Sequence, residues 1–196
     1  HYPLRRQRQM CIRDRFNINA TSGAVTFKAA PNFEVPGDVG GNNVYDITVT
    51  ASDGALSSAA RAVAITVNNV NEAPVVTSGA TASFAENGTG TVYTAAGSDP
   101  DAGATLTYAL GGTDAALFNI NATSGAVTFK AAPNFEAPAD VGGDNVYDIT
   151  VTASDGALSS TAQAVAITVN NVNEAPSVTS GATASFAENG TGTVYT

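Results

Sequence analysis

The stretch Asn68-Asn69-Val70-Asn71-Glu72-Ala73-Pro74 recurs unchanged at residues 170–176, 102 positions further along the chain. Each copy follows a segment in which apolar and polar residues alternate, and each ends in a proline. Proline cannot donate a hydrogen bond to a sheet, and it disfavours helix in the residue before it. We therefore predict that this stretch is a linker between β domains, and that the distance between its two copies is the length of one domain.

The repetition extends over most of the chain. Residues 16–94 align with residues 118–196 without a gap, and 73 of the 79 positions are identical. The six differences preserve the alternation of apolar and polar positions; they are Val35/Ala137, Gly37/Ala139, Asn42/Asp144, Ala59/Thr161, Arg61/Gln163 and Val75/Ser177. The chain is therefore divided into the carboxyl-terminal part of one repeat at 16–74, a complete repeat at 75–176 and the start of a further repeat at 177–196.

The complete repeat consists of short alternating runs separated by turn-rich segments. The runs predict seven strands, at 81–85, 91–95, 104–110, 117–121, 126–130, 146–153 and 162–170. Seven strands in about 100 residues are typical of an immunoglobulin-like Greek-key sandwich. The predicted fold class is therefore all-β, with sandwiches in tandem. The partial repeats lack strands of their own sandwiches, so we expect them to expose unpaired strand edges and to be poorly ordered or prone to aggregation in isolation.

Residues 1–15 do not share the pattern of the repeats. They hold five of the six arginines and the only His, Cys and Met of the chain. This head resembles a translated adapter or assembly scar, and it is predicted to be non-native or disordered. A basic nucleic-acid-binding arm is the alternative interpretation, but no second basic patch supports it.

The repeats themselves are strongly acidic. Residues 16–196 carry three basic and sixteen acidic side chains, a net charge of −13. Such a charge favours cations as partners and disfavours nucleic acids and anionic membranes. The repeats contain no cysteine that could form a disulfide. A transmembrane segment needs about 18 apolar residues, and no apolar run in this fragment approaches that length.

Acidic residues outside the strands recur at fixed places in the repeat. They are Glu86 after the first predicted strand, Asp99 and Asp101 in Ser-Asp-Pro-Asp, Glu34 and Glu136 in Asn-Phe-Glu, Asp155 in Ala-Ser-Asp-Gly, and Glu72 and Glu174 in the linkers. Carboxylate and amide oxygens are the ligands that Ca²⁺ prefers in proteins. The alternative is a set of solvated turns, in which Pro100 fixes one bend and Gly156 supplies a positive φ in another.

Taken together and in this order, these elements resemble a cadherin repeat over the whole of residues 16–196. They are most similar to the bacterial cadherin-like form, because the triplet reads Asn-Phe-Glu rather than Asp-Arg-Glu and the linker is one residue shorter than in animals. The resemblance implies cadherin-type sandwiches that bind Ca²⁺ between successive domains, and it leaves the number of ions per junction open. The implied metal ligands are Glu34, Asn71, Glu72, Asp99, Asp101 and Asp155 with Asn32 at the first junction, and Glu86, Glu136, Asn173 and Glu174 with Asn134 at the second.

The resemblance also implies a function. It indicates a segment of a large bacterial parent protein that is secreted, or membrane-associated and displayed at the cell surface. In this protein Ca²⁺ would stiffen successive repeats into a stalk or adhesion rod. The implied partners are calcium ions, neighbouring repeats, and homophilic or surface-ligand contacts. A calcium-independent spacer or a carbohydrate-binding module is the alternative. An enzyme is not expected, because the repeats hold no His or Cys and neither lysine lies beside a serine motif.

Overall fold

A computed structural model describes residues 15–196, so all but the last residue of the predicted non-native head lies outside the described part of the chain. The described residues form strands and turns with one turn of 3₁₀ helix, Ala115–Leu117. The predicted all-β fold class is therefore confirmed. Within residues 15–196, no helix is long and apolar enough to cross a membrane.

The strands fall into two groups that follow the repeats. The described part of the first repeat forms β1 (Phe16–Ile18), β2 (Val25–Phe27), β3 (Val44–Val49) and β4 (Arg61–Thr66). The complete repeat forms β5 (Val75–Val76), β6 (Thr81–Ala85), β7 (Thr91–Thr94), β8 (Gly97–Ser98), β9 (Thr107–Gly111), β10 (Phe118–Ile120), β11 (Ala126–Phe129), β12 (Val146–Ser154) and β13 (Gln163–Asn170).

The complete repeat is a sandwich of two main sheets. One sheet has the strand order β6-β13-β12-β9, and the other has the order β10-β11-β7. Strand β6 runs parallel to β13, whereas the other neighbouring strands in these sheets are antiparallel. The short strands β5 and β8 form a separate antiparallel pair. The first long strand of the repeat thus lies beside the last one and runs in the same direction.

The core lies between the two sheets. Strand β12 alternates buried and less buried residues, and Tyr147, Ile149 and Val151 are at most 1% exposed. The rings of Phe118 and Phe129 pack against each other with centroids 4.3 Å apart, and Phe129 meets Tyr147 edge to face at 5.0 Å. The period-two alternation that the sequence displays is therefore the division between the core face and the solvent face of each strand.

Some strand boundaries differ from the prediction. The strand predicted at 104–110 begins only at Thr107, because Ala104 donates its N–H to the Asp101 carbonyl and closes a turn. Leu117 was predicted in a strand, but it ends the 3₁₀ turn by donating to the Asp114 carbonyl. Strands β5 and β8 were not predicted, since two residues are too few to display a period.

The described part of the first repeat has the same local strand pairs as the complete repeat, but it lacks the strands that flank them there. Strand β1 pairs with β2 and β3 pairs with β4 in the same registers as their counterparts. Phe27 still meets Tyr45 edge to face, with centroids 5.2 Å apart. Among the described residues, however, no strand is hydrogen-bonded to the second edge of β2 or of β4.

Replacing Ile167 by alanine tests where the core lies. Ile167 is 0% exposed, so Ile167→Ala should lower the free energy of unfolding of the complete repeat by about 2–5 kcal/mol, the usual cost of such a cavity. The matched change Ile65→Ala, at a half-buried position of the first repeat, should cost less. Urea unfolding monitored by tyrosine fluorescence measures both, and equal losses would contradict this assignment of the core.

Candidate metal centre

The linker at 68–74 is bound to the complete repeat through Asp101. One carboxylate oxygen of Asp101 accepts a hydrogen bond from Nδ2 of Asn69 at 2.6 Å. The other accepts from the backbone N–H of Glu72 at 2.9 Å. Pro74, at the end of the linker, is buried. These contacts fix the path of the chain between the two repeats.

A second loop of the complete repeat also reaches the linker. Oδ2 of Asp155 accepts a hydrogen bond from Nδ2 of Asn71 at 2.7 Å. Its Oδ1 accepts from the N–H groups of Leu158 at 2.6 Å and Ala157 at 2.7 Å. The pKa of Asp155 is lowered chiefly by the Leu158 N–H, then by the Asn71 amide and the Ala157 N–H. Asp155 is therefore held as a charged carboxylate beside the linker.

Carboxylates from both repeats and from the linker converge at this junction. Single oxygens of Glu34, Glu72 and Asp101 all lie within 4.8 Å of one another. Asp99 is adjacent, and its Oδ1 accepts a hydrogen bond from the N–H of Asp101 at 2.9 Å. Both carboxylate oxygens of Glu34, one of Glu72 and one of Asp99 are buried without a hydrogen-bond partner. Within residues 15–196, no other buried carboxylate oxygen is left without one.

The electrostatics of this cluster are unfavourable in the absence of a cation. Burial raises the pKa of Glu72, and the charges of Glu34, Asp101 and Asp99 raise it further. Buried charges are costly unless they are paired or coordinate a metal. An oxygen-only set of acidic ligands with unpartnered buried atoms therefore fits a hard divalent cation.

The second junction is arranged differently. Glu86, 2% exposed, accepts hydrogen bonds from the N–H groups of Val172 at 2.7 Å and Phe135 at 2.8 Å. The pKa of Glu86 is lowered chiefly by the hydrogen bond from the Val172 N–H and then by that from the Phe135 N–H. The two carboxylate oxygens of Glu86 thus connect the loop of Phe135 to the linker residue Val172.

The remaining residues predicted at the second junction are exposed. Glu136 accepts from the Asn171 amide at 2.8 Å, and Glu174 accepts from the Asn87 amide at 2.5 Å. Asn173 is also exposed. In the described part of the chain, the second junction does not assemble three acidic groups around one point as the first junction does.

Two asparagines predicted beside the metal ligands make hydrogen bonds within their own loops. The predicted accessory residues Asn32 and Asn134 each accept a backbone N–H three residues further on, from Val35 and Ala137 respectively. Each amide oxygen therefore stabilises its own loop.

Asn69, which donates to Asp101, lies in the repeated linker but is not among the predicted ligands. Asp114 is not among the predicted residues either; it is a buried carboxylate that accepts the N–H groups of Val141 and Asp148 and so has a structural role. The only signal for Asn69 was its place in the linker, and the sequence pattern contained none for Asp114.

Solved structures of cadherin repeats are similar to this chain. The chain is similar to human protocadherin-24 EC1-2, with a TM-score of 0.61, 19% identity, and coverage of 81% of this chain and 77% of that one. It is similar to Drosophila N-cadherin EC1-4, with a TM-score of 0.60, 20% identity, and coverage of 80% of this chain and 40% of that one. It is also similar to mouse cadherin-23 EC22-24, with a TM-score of 0.54, 24% identity, and coverage of 82% of this chain and 50% of that one.

These likenesses establish the fold. The chain has the immunoglobulin-like β-sandwich of cadherin repeats, as the sequence motifs implied. It spans half or less of the N-cadherin and cadherin-23 chains. No protein-family model and no curated protein sequence matches it.

Glu72→Gln tests the electrostatic conflict at the junction. The folded pKa of Glu72 lies above its ordinary value of 4.5, so the folded state holds this proton more tightly than the unfolded state. Stability is therefore lost as pH rises from below 4.5 through the raised folded pKa. In chelator at pH 7, Glu72→Gln should raise the melting temperature, and this gain should vanish below pH 4.

The matched control is Glu174→Gln, which makes the same change 102 positions later, at an exposed site. It should leave the melting temperature nearly unchanged at both pH values. Differential scanning calorimetry measures all four conditions. A destabilising effect of Glu72→Gln at pH 7 would show that the Glu72 charge already has a favourable partner.

Proposed function

We propose that this chain is a segment of a calcium-binding repeat protein, in which Ca²⁺ binds where the linker at 68–74 meets the complete repeat. The observation that supports this most is the convergence of Glu34, Glu72, Asp99 and Asp101, with four buried oxygens that have no partner. One ligand comes from the first repeat, one from the linker and two from the complete repeat. An ion at this place would therefore connect all three.

The donor set favours Ca²⁺ over other metals. Ca²⁺ takes about six to eight oxygen ligands in a flexible geometry, whereas Mg²⁺ demands near-ideal octahedral coordination and retains water. Residues 16–196 offer no His or Cys that would suit zinc or copper. Asn71 and Asp155, which bind each other beside the cluster, offer further oxygens.

The bound ion would act on the junction as a clamp. Asp101 already holds the linker through Asn69 and the Glu72 N–H, but Glu34 has no hydrogen-bond partner and lies beside the carboxylates of Glu72 and Asp101. A cation would turn this repulsion into attraction and restrict bending between the repeats. Repeats clamped in series form a stiff stalk, which is the mechanical role we propose for the chain.

The proposed setting is extracellular. Weakly binding calcium modules, with dissociation constants of about 10⁻⁴–10⁻³ M, are found outside the cell. We propose that the parent protein is secreted or displayed on a bacterial surface, where the stalk supports homophilic or surface-ligand adhesion. The second junction, with Glu86, Glu136, Asn173 and Glu174 on its near side, would bind more weakly in this chain because Glu188 is the only carboxylate that residues 177–196 add.

A carbohydrate-binding role has less support. Stacking on sugars needs exposed aromatic faces, whereas Phe118, Tyr147 and Tyr93 belong to the buried core of the complete repeat and Phe84, Tyr108 and Phe129 pack against it. A spacer that does not bind calcium would leave the four unpartnered carboxylate oxygens at the first junction without a role.

Calorimetric titration of the 196-residue chain tests the ligand assignment. Asp99→Ala combined with Asp101→Ala removes two of the four clustered carboxylates and should abolish most of the measurable Ca²⁺ binding. Glu136→Ala, at an exposed position of the second junction, should change binding little. Mg²⁺ should replace Ca²⁺ poorly. The reverse order of the two variants would mean that the ligands belong to the other junction.

Small-angle scattering tests the mechanical role. In a two-repeat protein, residues 1–15 are replaced by the sequence of residues 75–117, which restores the missing strands of the first repeat. With millimolar Ca²⁺ this protein should be extended with a narrow range of maximum dimensions, and with chelator it should bend. The same distribution in both conditions would rule out a calcium clamp while leaving the fold intact.

A further inference from the structure

The first linker carries two asparagines, Asn69 and Asn71, on either side of Val70. In an extended segment successive side chains point to opposite sides, so residues two positions apart share one side. The amides of Asn69 and Asn71 both contact carboxylates of the complete repeat, whereas Val70 is 75% exposed. The side of the linker that faces the complete repeat therefore presents two uncharged hydrogen-bond donors.

Asn69 and Glu72 hold the same carboxylate from two points of the linker. Nδ2 of Asn69 donates to Oδ1 of Asp101 at 2.6 Å, and the backbone N–H of Glu72 donates to Oδ2 at 2.9 Å. Because each oxygen accepts one of these bonds, the carboxylate of Asp101 cannot rotate about its Cβ–Cγ bond without breaking at least one of them. The linker therefore fixes the orientation of this carboxylate.

The orientation in which Asp101 is held is electrostatically unfavourable without a cation. One of its oxygens lies within 4.8 Å of single oxygens of Glu34 and Glu72, and both glutamates have buried oxygens without a hydrogen-bond partner. Like charges at this separation repel, so an unrestrained Asp101 would turn away from the two glutamates. The hydrogen bond from Asn69 opposes that rotation.

An amide is suited to hold this carboxylate because it is uncharged. A lysine could also donate a hydrogen bond to Asp101, but its positive charge would cancel the attraction of the carboxylate for a cation. The Asn69 amide leaves that attraction in place. Each oxygen of an ionised carboxylate has two acceptor positions, so Asp101 keeps one on each oxygen for an ion. The hydrogen bonds of the linker and the coordination of an ion are therefore compatible.

The counterpart of Asn69 in the second linker also holds a carboxylate. Nδ2 of Asn171 donates to Oε1 of Glu136 at 2.8 Å. The neighbouring residue Asn68 is exposed as well, but its side chain makes no hydrogen bond to any residue in the described range 15–196. The contact with a carboxylate is therefore specific to one position of the linker and does not result from asparagine content alone.

We propose that Asn69 is a positioning residue for the cation site, whose existence rests on the proposed function: its amide keeps the Asp101 carboxylate turned towards Glu34 and Glu72. The three groups are then arranged to share one ion before it arrives. Because Asp101 has already lost its rotational freedom, less entropy is lost when the ion binds. Asn69 acts through Asp101 and not on the ion itself.

Calorimetric titration of the 196-residue chain with Ca²⁺ tests the effect on affinity. Asn69→Leu removes the donor and nearly keeps the size of the side chain, and it should weaken binding by about 10-fold, a usual effect of losing a group that orients a metal ligand. Asn69→Gln, which retains an amide, should recover part of the affinity. Asn68→Leu on the adjacent residue and Asn171→Leu in the second linker are matched controls that should leave the affinity nearly unchanged.

Hydrogen exchange at the Glu72 backbone N–H, measured by NMR in chelator, tests the restraint on Asp101 without calcium. This N–H donates to Asp101, so a carboxylate that turns away should leave it unprotected. Asn69→Leu should speed the exchange by about 3-fold to 10-fold, the equivalent of one hydrogen bond, whereas Asn68→Leu should not. In a chain with Asp101→Ala the acceptor is already lost, so adding Asn69→Leu should have no further effect.

The two measurements distinguish the role of Asn69 from calcium binding itself. Unchanged exchange at Glu72 in Asn69→Leu, or equal losses of affinity in Asn69→Leu and Asn68→Leu, would overturn the proposal. A loss of affinity with unchanged exchange would mean that Asn69 contacts the ion directly, and it would overturn the proposal as well. If the parent chain binds no Ca²⁺, the proposed function fails, and the exchange at Glu72 alone decides whether Asn69 holds Asp101.

Discussion

Repulsion between buried carboxylates at the first linker is the constraint around which this part of the structure is arranged. Glu34, Glu72, Asp99 and Asp101 approach one another from three segments of the chain, and four of their oxygens have no partner. The fold tolerates this because hydrogen bonds from Asn69 and from the Glu72 N–H secure Asp101. These hydrogen bonds thus keep the charges close together.

The contrast between the two junctions shows what creates that constraint. Glu34 and Glu136 occupy equivalent positions in nearly identical repeats, yet Glu34 is half-buried and without a partner, while Glu136 is exposed and bound to the Asn171 amide. The difference arises from the loops of Asp99 and Asp155, which face the first linker and have no counterpart beyond the second within this chain. The cluster is therefore a property of two repeats meeting, and neither repeat contains it alone.

The sequence predicted those features that depend on local periodicity or on the order of motifs. The alternation in 146–153 predicted β12 because every second residue there faces the core, and the ordered acidic motifs predicted that Glu34, Glu72 and Asp101 belong to one junction. Periodicity could not predict β5 or β8, which have two residues each. The hydrogen bonds of Glu86 could not be predicted either, because its partners Phe135 and Val172 are distant in sequence. Only the folded sandwich brings the three residues together.

Near-identity of successive repeats has a physical cost that follows from the same complementarity that builds each sandwich. A strand such as β6 recognises β13 through backbone hydrogen bonds and through the alternation that buries Phe84, and residues 183–187 repeat both features. Local chemistry therefore distinguishes the correct partner from its copy only weakly, and connectivity must make the choice. The linker performs this selection, because its short length keeps each first strand closer to its own last strand than to that of a neighbour.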